Sequence, residues 1–356
     1  MRENLERSKL RSALKTLRGF AAALFAVVVP LALGACQQKT NPQPAYPPYG
    51  QQPYPGAYPQ QPYPQQPYPQ QPYPQQPVPQ QPAPASSRPL LAPLIGIAAW
   101  QSELRTIMSE LVNALQGQNK ALVNGIPLVF DPTTEVNAFA GCENGAPFMA
   151  ATSGILEAAD AMAQTKATDE LFGTQTYDAY CNSVLPAMAR SPTARAALPQ
   201  GIIPTQFGGD ARRWSRAHEL FDEILAFTFG HELAHHYLGH TGCAKGQGPS
   251  AGPDPAALGR VLTNIPLFNQ AAETHADAAG AYNALDAGRA RRPGYEWQEA
   301  GGLTLLDYFA RLERASGGGG PLSLLSPSAF LRTHPNPLAR GPILQGVART
   351  WHQQHP

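Results

Sequence analysis

Between Leu220 and Leu238 the apolar positions recur at spacings of three and four: Leu220, Ile224, Phe227, Ala234 and Leu238, with His231 in the same stripe. That period marks one buried face of an α-helix. It predicts a helix over about 211–240, with Asp210 as its N-cap and Gly242 as its stop signal. Weaker helical periodicity predicts further helices over about 100–115, 153–164, 168–189, 264–287, 296–314 and 337–353. Three short apolar runs, Ile126–Asp131, Glu135–Ala140 and Pro147–Thr152, are broken by Pro, Gly and Asn and read as strands. The expected fold class is α+β, mostly helical, with a small sheet ahead of the long helix.

The pattern changes before Leu91. Residues 1–35 carry a basic start (Arg2, Arg7, Lys9, Arg11, Lys15, Arg18) and then an apolar run from about Phe20 to Leu33. This is the layout of an export signal, too short for a membrane span and interrupted by Pro30. It ends in Leu33-Gly34-Ala35-Cys36, which resembles a bacterial lipobox. The resemblance implies a lipid-modified Cys36 and an anchor on the membrane. Gln37, rather than Asp, follows; by the same resemblance the chain belongs in the cell envelope, on the outer membrane facing the periplasm. Residues 36–90 then form a tether in which Gln-Gln-Pro-Tyr-Pro repeats with a period of five between Gln60 and Pro79. Proline at that density removes amide donors and fixes φ, so an extended spacer of at most ~3.1 Å per residue is expected. The domain itself is expected over 91–356.

Charge narrows the partners. The formal net charge is +1, and the leader alone holds six basic and two acidic residues, so the remainder is slightly acidic. Scattered charge of this kind offers no footprint for nucleic acid. Of four cysteines, Cys36 is assigned to the anchor. Export permits a disulfide among Cys142, Cys181 and Cys243, leaving one free thiol, and the sequence does not choose among the three pairings.

The candidate chemistry lies on the long helix. His235 sits four residues after His231, over the same face, so both imidazoles can reach one ion from one rigid element. Glu232 points to the rim, in reach of a water but not of the ion. The set His231-Glu232-Leu233-Ala234-His235 is the His-Glu-x-x-His pattern. Leu238 and Thr241 stand where a Gly and a third His would be needed for one ligand arrangement, and His236 and His240 are turned away, which leaves them to support a ligand or the structure. The next helix offers Glu273 and Asp277 at i and i+4 amid alanines: Glu273 as third ligand, Asp277 to orient a ligand imidazole.

These residues together resemble the gluzincin peptidases of the HtpX and CAAX prenyl-protease type, metallopeptidase family forty-eight, in a soluble, exported form. Besides the two helical motifs, Asn137-Ala138-Phe139-Ala140 before Gly141-Cys142-Glu143-Asn144-Gly145 resembles the family's strand and glycine turn, and Thr333-His334-Pro335-Asn336-Pro337 with Arg340 resembles its late His-Pro segment. The resemblance implies one Zn²⁺ per chain on His231, His235 and Glu273, with Glu232 as general base. It implies a protein or peptide substrate held against Asn137, Ala138 and Phe139, and a catalytic or gating role for His334. It leaves Arg340 between binding an intermediate and pairing with an acid. Cys142 stands where the family has small or apolar residues, which implies a disulfide stiffening the sheet edge. The activity expected is endopeptidase cleavage of envelope proteins; the alternative is a zinc-binding lipoprotein that chaperones or binds without catalysis.

Overall fold

In a computed structural model the residues described are 89–191, 193–243, 270–291, 296–317, 331, 333–334 and 336–356. All fall in the second of two units, Pro77–Pro356. The leader, Cys36 and the repeat tether lie outside the described residues. Among the described residues no helix is long and apolar enough to cross a membrane.

The fold is α+β and mostly helical. In chain order come α1 (Ile97–Ala114), α2 (Gly117–Val123), β1 (Leu128–Asp131), β2 (Ala138–Glu143), β3 (Ala146–Thr152), α3 (Ser153–Phe172), α4 (Thr176–Met188), the short α5 (Thr205–Gly208), α6 (Ala211–Tyr237), α7 (Gln270–Arg291), α8 (Ala300–Ala315) and α9 (Pro337–Gln354). The sheet order is β1-β3-β2; β1 runs parallel to β3 and β2 antiparallel to it. β2 and β3 form a hairpin whose two turn residues, Asn144 and Gly145, both have positive φ (52° and 79°). Asn-Gly takes that conformation at little cost, which fixes the register Glu143↔Ala146 through Ala138↔Ala151.

α6 is the centre of the domain. α1, α2, α3, α7, α8 and β2 all pack on it, and every residue from Leu220 to Tyr237 is buried. A helix this enclosed is covered on all sides, so the apolar stripe marks only part of what it buries. Asp210 caps its start by accepting from Arg212 N at 2.8 Å. Its end comes three residues before the expected one. Gly239, at φ 80°, lets the chain close a Schellman turn: Gly239 N donates to His236 O and His240 N to His235 O. Leu238 therefore leaves the stripe and stands 41 % exposed.

Other boundaries shift for similar reasons. The break expected near residue 166 falls at Gly173, which ends α3 in the left-handed conformation. Thr165 and Thr168 stay helical, their hydroxyls donating back to Ala161 O and Gln164 O. The expected strand Glu135–Ala140 begins three residues later, at Ala138. The first six residues of the helix expected over 264–287 lie outside the described residues. Cys142 on β2 is joined to Cys243 beyond α6, and Cys181 is free and buried. The disulfide thus ties the sheet edge to the end of the long helix.

Candidate metal centre

α6 and α7 cross where neither has a side chain. A Cβ on Gly280 would stand 2.5 Å from His231 N, and one on Gly230 would stand 2.7 Å from Gly280 O. This backbone contact brings Glu273 and Asp277, seven and three residues before Gly280, over His231 and His235 on the facing helix. The alanines flanking Glu273 pointed to close packing; the glycine pair is what sets it.

The donor atoms converge. His231 Nε2 and His235 Nε2 are 3.0 Å apart. Glu273 Oε2 lies 3.6 Å from the first and Glu273 Oε1 3.3 Å from the second. His334 joins them, the four residues offering ligand atoms all within 4.8 Å of one another. None of the four is more than 3 % exposed.

The surroundings fix which lone pairs face inward. His231 Nδ1 is 2.9 Å from Asp277 Oδ1, so its N–H donates there and Nε2 is left as an acceptor. His235 Nδ1 is 2.9 Å from His240 Nδ1, a contact made by the Schellman turn. Burial holds the His231 imidazole below its ordinary range and pushes His235 down to about 3, so both are neutral near pH 7. Two neutral imidazoles and a buried carboxyl group whose Oε1 lacks a hydrogen-bond partner thus face one point. A cation there satisfies all three, and the buried group can hold a metal ion.

Glu232 is held at the rim. Its Oε2 accepts from Ala140 N at 2.8 Å, the outward-facing amide of the edge strand β2, while Oε1 is 3.1 Å from His334 Nε2. Burial alone would raise the Glu232 carboxyl, but His334, helped by the two ligand histidines, draws it down to about 2. Conversely the Glu273 and Glu232 carboxylates outweigh burial and raise His334. Thr333 Oγ1 lies 2.7 Å from His334 Nδ1.

Of the two roles left open for Arg340, binding an intermediate or pairing with an acid, the structure shows the second. Arg340 Nε and Nη2 donate to Asp277 Oδ2 and Oδ1 at 2.7 and 2.6 Å, and its Nη1 lies 3.0 Å from Glu273 Oε2. Burial would raise Asp277, yet this bidentate pair holds it well below the usual carboxylate range. Two buried carboxylates on one helix required such a countercharge. His236 proves structural, as expected: it lies 3.0 Å from both Phe148 O and Thr241 Oγ1, pinning α6 to β3. His275 is exposed and outside the cluster.

Asn137, Ala138 and Phe139 lie at the start of the edge strand, but at 0, 0 and 1 % exposure they present no open surface. Phe139 packs with Val129, Phe148 and Ala150 on one face of the sheet. Ala138 and Ala140 face the main core. The Asn137 side chain has no hydrogen-bond partner for either polar atom. No family model matches the chain, and neither a curated protein nor a solved structure matches it.

Proposed function

We propose that the domain is a zinc endopeptidase of the HtpX and CAAX prenyl-protease kind, anchored through Cys36 and acting on envelope proteins. The observation that supports it best is the joint placement of His231, His235 and Glu273 on one point with Glu232 beside it. An assortment of one carboxylate and two imidazoles, each backed by its own partner, suits zinc. When bound, zinc supplies Lewis acidity for the attacked carbonyl.

The chain's own residues do the rest. Ala140 N occupies Glu232 Oε2, so Oε1 is the atom that takes a proton from the attacking water and returns it to the leaving amine. Arg340 and Asp277 hold His231 in its orientation and keep the carboxylate charge of Glu273 balanced. His334, paired with Glu232 Oε1, keeps the base too acidic to work well and has to part from it for turnover. A substrate laid along β2 would have to displace Glu232 Oε2 from Ala140 N and uncover the buried edge.

The test is Glu232→Gln in the full chain: zinc should remain bound at the His231 centre while cleavage of an unfolded protein substrate is lost. Turnover equal to wild type would sink the mechanism. The complete burial of Asn137–Ala140 favours a second reading, a binding or chaperoning lipoprotein that keeps the metal for structure. On that reading neither wild type nor variant cleaves, and both bind zinc alike.

A further inference from the structure

A second group of mixed donors sits nearer the start of α6. His218 and Asp222 lie at i and i+4 on one face, and Glu103 approaches from α1; the three offer ligand atoms within 4.8 Å of one another. His218 Nε2 is 3.9 Å from both Asp222 Oδ1 and Glu103 Oε1, too far for a hydrogen bond. Neither His218 Nε2 nor Asp222 Oδ1 has a hydrogen-bond partner, although the Asp222 side chain is only 7 % exposed. Two buried polar atoms without partners thus lie at the same gap.

Carboxyl groups outnumber cations there. Arg291 reaches Asp222 Oδ2 at 2.6 Å, Glu103 Oε1 at 2.9 Å and Glu110 Oε1 at 3.2 Å. One guanidinium faces three carboxyl groups, and burial pushes the Asp222 carboxyl up to about 8 against the pull of Arg291. The guanidinium takes the far oxygen of Asp222 and leaves Oδ1 turned to His218. A cavity of about 340 Å³ opens beside the group, lined by Glu110, Ser215, His218, Glu219, Asp222 and Arg291. That space admits the waters that a three-ligand site needs to complete its coordination.

We propose that His218, Asp222 and Glu103 form a second metal site, which takes a divalent transition-metal ion and clamps α1 to α6 independently of the centre at His231. Metal binding would release the Asp222 proton and supply the countercharge that the single guanidinium does not. The imidazole selects against magnesium and calcium, which prefer oxygen alone. Arg291 competes for Glu103, so this site is the weaker of the two.

The test is a calorimetric titration of the metal-stripped full chain with Zn²⁺ in excess Mg²⁺. Wild type should show two events. His218→Gln, a change at a 43 % exposed side chain, should keep the tight event and weaken the other by at least ~10-fold. Glu273→Ala should do the reverse. One event in wild type that His218→Gln leaves unmoved overturns the proposal, as do two events unchanged in that variant. A single event abolished by His218→Gln and untouched by Glu273→Ala would support this site while removing the centre at His231.

Discussion

The two clusters on α6 are built from the same parts and differ in where their arginine sits. Each has a histidine with a second donor four residues on, a carboxylate from a neighbouring helix, and one buried or half-buried arginine. At His231 the guanidinium stands behind the carboxylates, so Arg340 fixes Asp277 and one oxygen of Glu273 while the donor atoms face inward. At His218 the guanidinium stands among them: Arg291 touches three carboxylates at once and takes one of the oxygens an ion would use. Exposure separates them too, 0–3 % for the first set against an 18 % exposed Arg291 and a 43 % exposed His218 in the second. A charged group in the dry cluster has little water to fall back on, whereas one in the wet cluster does.

The largest expected effect follows from that contrast. Arg340→Met leaves Asp277 and Glu273 buried without their countercharge, and should cost about 3–5 kcal/mol in urea unfolding of the metal-free chain. Arg291→Met should cost less, about 1–2 kcal/mol, because water reaches Glu103 and Glu110 although Asp222 stays buried. Equal losses would mean that burial does not distinguish the clusters.

Acidity separates them next. Folding lowers the pKa of His235 to about 3 by burial, so the unfolded chain takes up a proton that the folded chain refuses. Stability then rises with pH over that interval, and is lost as pH falls from about 6.5 toward 3. At pH 5 the loss from this one imidazole is about 2 kcal/mol relative to pH 8. His235→Gln should remove that share of the slope, read from urea midpoints of the metal-free protein at the two pH values. A slope unchanged by the substitution would place the pH sensitivity elsewhere.

The helix crossing offers a smaller and more local perturbation. Gly280→Ala puts a methyl 2.5 Å from His231 N, a backbone atom that has no side-chain freedom to yield. About 1–3 kcal/mol of stability should go, together with metal affinity at the His231 centre, as α7 and Glu273 are pushed off α6. Ion uptake at the His218 cluster, more than two helical turns upstream, should survive. Loss of both would show that the crossing, not the individual ligands, governs the whole helix.

What the sequence revealed follows from what periodicity and motif spacing can carry. The strands, the long helix and the set His231, Glu232, His235, Glu273 and Asp277 were legible because spacing along one helix is geometry. The turn after β2 was expected only through the family resemblance, although Asn144-Gly145 is itself a local hairpin signal. Gly239 was overlooked as the end of α6 because Gly242 is an equally good stop in one dimension; only the closure from His240 N to His235 O decides between them. The disulfide partner of Cys142, the role of Arg340 and the Gly230–Gly280 contact all join segments distant in sequence. For Arg340 a signal did exist: two carboxylates among alanines demand a cation from somewhere. His218 and Asp222 also stood at helical spacing, but Glu103 and Arg291 lie 115 and 73 residues from His218, and no local pattern joins them.

The smallest effect is the most discriminating. Without metal, His218→Gln should change stability by less than about 0.5 kcal/mol, since a partly exposed side chain whose Nε2 makes no hydrogen bond has little to lose. With Zn²⁺ at a hundred times its dissociation constant for the weaker site, wild type should gain about 2.7 kcal/mol from that site alone, and the variant should not. The measurement is a pair of urea curves with and without the ion. A large loss in the metal-free variant would make His218 a packing residue, and the two clusters would no longer be alike in kind. An equal gain in both proteins would assign the whole stabilisation to the His231 centre, where the desolvated donors already face one another.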